Sequence, residues 1–99
     1  MDAIQLLSVF FAAIADDHRI RSTHIAVFSA LLQYRITNGC NNPIKVYSRD
    51  MMGVAKISKP STYCKCVSEL DEYGYILYRP SYKKNQASLI YFKDSEPIF

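Results

Sequence analysis

The chain has 99 residues, 49% of them hydrophobic and 21% charged, and a formal charge of +3. That length supports one core without a second independent unit, and the composition excludes a disordered or fibrous chain. So small an excess of positive charge says little about a nucleic-acid partner, which leaves the placement of the charges to decide.

The first apolar run, AIQLLSVFFAAIA, sets Ile4, Leu7, Phe11 and Ile14 on a helical seam widened by Leu6, Phe10 and Ala13. Ala13 and Ala15 imitate a leader cleavage site. However, Met1-Asp2 supplies no basic flank and the run is too short to span a bilayer, so neither secretion nor a membrane association is expected. Residues 1–17 therefore read as an N-terminal helix. It either closes the core or offers its surplus apolar side, Leu6, Val9 and Phe10, to the same helix of a second subunit.

ADDHRIRS breaks the pattern, and Ser22 or Thr23 can cap a second helix. Ile25, Phe28, Leu32 and Ile36 lie on one face of it, beside Val27, Leu31 and Tyr34, and Asn38-Gly39 stops it. His18 and His24 flank its start and read as surface or capping histidines. No activated Ser or Cys signature accompanies them and no Gly-rich phosphate loop exists, so an enzyme is not expected.

After NGCNNP, residues 44–47 are short, β-branched and alternating, as in a brief strand. Ser48 offers a cap for a short helix from Arg49 to Ala55 or Lys56, with Asp50 in its positive first turn. Pro60 suits the first turn of the next helix, 60–73, whose buried face is Tyr63, Val67, Leu70 and Tyr73 with Cys66 adjoining. Gly74 ends that helix. A strand over 75–79, a polar loop over 80–87, a strand over 88–92 and a loose tail over 93–99 complete the chain.

The charges are segregated along this order. Lys45, Arg49, Lys56, Lys59 and Lys65 face one acid, Asp50, and a second basic cluster follows at Arg79, Lys83 and Lys84. The acids gather elsewhere, at Asp16 and Asp17, at Glu69, Asp71 and Glu72, and in the tail. Such separation is what a one-sided electrostatic footprint looks like. The three cysteines, an odd number, argue against a secreted disulfide framework and for a reducing cytoplasm. Cys64 and Cys66 point about 200° apart on a helix and lack the further ligands a zinc site needs, so no metal and no cofactor is expected.

A short helix, a tight turn, a second helix and a basic hairpin follow one another in winged helix-turn-helix proteins. SRDMMGVAKISKPSTYCKCVSELDEYGYILY resembles the helix-turn-helix and first wing strand of winged-helix transcriptional regulators, chiefly through the junction ELDEYGYI. STHIAVFSALLQYRITNGCNNPIKVYSRDMM is similar to the preceding part of short bacterial winged-helix proteins often associated with mobile elements. The resemblance covers residues 22–92. It implies a single α+β domain over 1–99, a winged helix-turn-helix with an additional N-terminal helix and a C-terminal two-stranded wing. It further implies a cytoplasmic regulator that binds double-stranded DNA, with helix 60–73 as reader. Lys59, Ser61, Thr62 and Lys65 would then reach base edges or nearby phosphates, and Arg49 and Lys56 the backbone. Tyr82, Lys83, Lys84, Asn85 and Gln86 would form the tip of the wing. Regulators of this kind commonly form homodimers, here through the N-terminal helix. A protein interaction module and a replication or excision accessory factor are the alternative readings.

Overall fold

Asp2 caps the first helix, α1 (Ala3–Ile14), in a reciprocal box: its carboxylate accepts from the Gln5 N–H at 2.8 Å, and Gln5 Oε1 accepts from the Asp2 N–H at 3.1 Å. The computed structural model describes residues 2–81 and 86–93. After α1 come α2 (Ser22–Thr37), β1 (Ile44–Val46), α3 (Ser48–Ala55), α4 (Pro60–Glu72), β2 (Ile76–Arg79) and β3 (Ser88–Phe92). The result is an α+β fold in which four helices, among the described residues, pack with a three-stranded antiparallel sheet of order β1-β3-β2. The hairpin strands expected near the C-terminus pair with each other as β2 and β3, within this larger sheet. Strand β3 also pairs with β1, setting Ile44 opposite Ile90, while Ile76 lies opposite Phe92 on the other side.

Three helices end alike. Each closes on a left-handed residue followed by an N–H that reaches back five positions: Cys40 to the Arg35 carbonyl, Ile57 to Met52, and Tyr75 to Leu70. The left-handed residues are Gly39 (φ +84°), Lys56 (φ +62°) and Gly74 (φ +87°). Glycine takes this backbone without penalty, whereas at the end of α3 a lysine does so against its own Cβ. The starts differ from the expected caps. Arg21, not Ser22 or Thr23, precedes α2, and Tyr47, not Ser48, precedes α3, so Ser48 is itself the first helical residue.

One cluster forms the core. Val27 and Leu31 from α2, Val67 and Leu70 from α4, and Ile90 and Phe92 from β3 are completely shielded at 0% exposure. The Phe10 ring stacks on Phe28 with centroids 3.9 Å apart and meets the Tyr75 ring edge-on at 5.4 Å. This corrects the expected orientation of α1: Leu6 and Phe10, proposed as surplus for a partner, turn inward and close the core. Ile4 and Phe11, placed on the inner seam by their spacing, face outward, as does Val9. The run is apolar on several sides, so spacing alone does not choose among them. Ile36, expected on the inner face of α2, is likewise exposed. Among the described residues no helix is long and apolar enough to cross a membrane.

Asn42 ties the sheet to the turn after α2. Its Oδ1 accepts from the Phe92 N–H at 2.9 Å and its Nδ2 donates to the Phe92 carbonyl at 3.0 Å, so one side chain extends the β3 ladder as a paired residue would.

Candidate nucleic-acid interface

The two helices α3 and α4 are joined by the turn 56–59, and both pack against α2 and each other. Tyr63, Cys66, Val67 and Leu70 hold α4 to the core, a repeat of three and four residues that commits one side of the helix to burial. Tyr73, expected on this face, caps the helix and is half-buried, so the helix stops at Glu72. Ser61, Cys64, Lys65, Ser68 and Glu72 are exposed along the opposite side. Pro60 opens the helix in its first turn, and Lys59 precedes it with extended backbone.

The first half of this outer face carries the expected reading residues. Lys59, Ser61 and Lys65 are exposed and Thr62 is half-buried at the flank. None of Lys56, Lys59 and Lys65 takes part in an ion pair among the described residues. Arg49 is exposed on α3, where its guanidinium lies 5.3 Å from the Tyr47 ring centre. Lys56 is exposed at the left-handed corner between α3 and α4. Of the expected wing tip, Gln86 is exposed and accepts a hydrogen bond from Ser81 Oγ at 3.2 Å, while Tyr82, Lys83, Lys84 and Asn85 lie outside the described residues.

Chain order separates the residues of a polar cluster that the fold assembles beside α4. His24 is buried, with 2% exposure. Its Nδ1 accepts from the Arg21 N–H at 2.9 Å, which leaves the proton of the neutral ring on Nε2, 3.0 Å from Glu69 Oε1. Histidine thus supplies the helix-start cap that serine and threonine do not, and its other nitrogen holds α4. Glu69 Oε2 accepts from the Tyr73 hydroxyl at 3.1 Å, so both carboxylate oxygens are engaged. The bond from His24, with that from Tyr73 in support, keeps the Glu69 carboxyl below its ordinary range against the opposing effect of burial.

A second acid continues the cluster. Asp17 accepts from Arg19 Nε at 2.8 Å and from the Tyr75 hydroxyl at 2.6 Å, and these bonds, the Arg19 one foremost, hold its carboxyl far below the usual value. The same Arg19 guanidinium sits 4.0 Å above the Tyr73 ring. A cleft of about 550 Å³ opens between this cluster and α4, with Arg21, Thr23, Thr62 and Lys65 among its walls.

The two cysteines of α4 lie on different sides of the helix. Cys66 is buried in the core and Cys64 exposed, and among the described residues no three His, Cys, Asp or Glu side chains gather as metal ligands. No family model, curated protein or solved structure matches the chain.

Proposed function

We propose that the chain is a winged helix-turn-helix protein that binds double-stranded DNA, a small bacterial transcriptional regulator acting without enzymatic chemistry. In this reading α3 braces the backbone, α4 enters the major groove, and the loop between β2 and β3 follows the duplex alongside. What carries the reading is the division of α4. One side is anchored in the core by Tyr63, Cys66, Val67 and Leu70, and the other presents Ser61 and Lys65 to solvent. Lys59 precedes this helix and Lys56 stands at the corner before it. Hydroxyls and a lysine at the start of a rigid helix suit base edges and the phosphates flanking them. With no arginine on that face, water and duplex shape would carry much of the selectivity.

The protein would act as a homodimer, so that two readers meet half-sites one helical turn apart. The outward strip of Ile4 and Phe11, 82% and 45% exposed, is the surface of α1 offered for that contact, beside Ile36 of α2 at 44%.

Binding to a random duplex library at two salt concentrations tests the reading. The native protein should enrich a sequence and release it steeply as salt rises. Lys65→Ala should lose the preference, and Lys83→Ala with Lys84→Ala should lose affinity across all sequences. Bending of duplexes with no enriched sequence would favour an accessory role in replication or excision. No binding at low salt would sink the DNA reading and favour a protein partner.

A further inference from the structure

We infer that the cleft between the start of α2 and the flank of α4 is a second contact for the DNA backbone, in which Arg21 and Thr23 hold a phosphate beside Lys65. This rests on the proposed reading of α4 as the major-groove helix. An α-helix with its side chains is about 10–12 Å across and the major groove about 12 Å wide, so the bounding phosphates lie against the flanks of an inserted helix. The cleft lies on such a flank, since Thr62, Lys65 and Glu69 of α4 form one of its walls.

The charge of the cleft follows from which of its ionic groups are already matched. Glu69 keeps its negative charge, but His24 and Tyr73 hold its two oxygens in place and Lys65 opposes that charge from the same helix. Arg19 is matched by Asp17, which also takes the Tyr75 hydroxyl. Arg21 and Lys65 remain, and neither forms an ion pair among the described residues. The walls therefore carry Arg19, Arg21 and Lys65 against the single carboxylate of Glu69, with the Thr23 and Thr62 hydroxyls, around a space of about 550 Å³. A planar guanidinium binds two oxygens of one phosphate, a lysine adds a point charge, and hydroxyls donate to the remainder. A phosphate contact here would fix the rotation of α4 in the groove without reading sequence.

The test is a salt titration of a labelled duplex with the native protein, Arg21→Ala and Arg21→Lys, using Lys93→Ala, an exposed charge outside both basic clusters, as a control. Arg21 is exposed and its backbone bond to His24 survives the substitution, so the variants should fold. Arg21→Ala should weaken binding uniformly across sequences and reduce the slope of log affinity against log salt by about 1. Arg21→Lys should keep the slope, and Lys93→Ala should match the native protein. An Arg21→Ala protein with native affinity and slope overturns the inference while leaving the reader intact, as does a change in sequence preference in place of a uniform loss. A native protein that binds no duplex overturns the DNA reading and this inference with it.

Discussion

His24 and Glu69, forty-five positions apart, meet at 3.0 Å where the start of α2 crosses the flank of α4. The contact joins two tasks in one ring. Nδ1 caps the Arg21 N–H and so fixes how α2 begins, while Nε2 holds the carboxylate of the helix that presents Ser61 and Lys65. The angle of α4 thus depends on a polar contact as well as on its apolar face.

Acid should loosen this arrangement. Glu69 and Asp17 both sit below their ordinary values of 4.5 and 3.8, held down by His24 and by Arg19 respectively. A carboxyl depressed in the folded state adds stability that is complete above its unfolded value and is lost as pH falls through the folded one. The urea midpoint should therefore hold near neutrality and fall once pH drops below about 4. Glu69→Gln should lie below the native protein at pH 7 and converge on it in acid. An equal gap at both ends of the titration would contradict the role given to Glu69.

At the corner between α3 and α4, stability and binding should move in opposite directions. Left-handed backbone costs an L-residue about 1–2 kcal/mol, of which about 0.4–1 returns to the unfolded chain when glycine replaces it. Lys56→Gly should stabilise the fold by about 0.5 kcal/mol, read from denaturant melts. It should also cost one phosphate contact, reducing the salt slope by about 1. A destabilised Lys56→Gly would mean that the lysine side chain supports the corner in a way its exposure does not suggest.

The two sides of α1 should behave differently. Phe10→Ala removes a ring at 3% exposure from its stack on Phe28 and should cost about 3 kcal/mol. Ile4→Asp with Phe11→Asp should leave the melting transition near native yet hold the protein monomeric in light scattering across a concentration series. A native protein that is monomeric throughout that series rules out the dimer.

Asn42→Ala should cost about 1–2 kcal/mol, since it strips both backbone groups of Phe92 of their side-chain partner. Asn42→Asp keeps the acceptor but loses the donor, and should fall between the two in a denaturant melt. Equal stability of all three proteins would deny Asn42 its place in the ladder.

Residues whose signals are local could be read from the chain. Gly39, Pro60 and Gly74 mark helix ends and starts by their own backbone preferences, and the repeat of Tyr63, Val67 and Leu70 marks the buried side of α4. Lys56 gave no such signal, because a lysine in a left-handed corner is held there by the chain on either side. The inward turn of Leu6 and Phe10 depended on finding Phe28 and Tyr75, which only the folded chain provides. The cluster of His24, Glu69 and Tyr73 was hidden for the same reason. Its members lie on different elements, and histidine at the third position of a helix stands where Glu or Gln ordinarily returns a bond to the residue before the helix.

The strand order has a consequence for the chain while it is being made. Among the described strands β3 comes last in sequence and lies in the middle of the sheet, where it partners both β1 and β2. Until Ser88–Phe92 emerges from the ribosome, Ile44, Val46 and Ile76 lack their cover and two strands present open edges. A product that stops short of β3 would lack Ile90 and Phe92 from its core and display those edges to proteases and to other chains. The sheet completes only once β3 is made, so the pairing of β1 and of β2 waits on the same five residues.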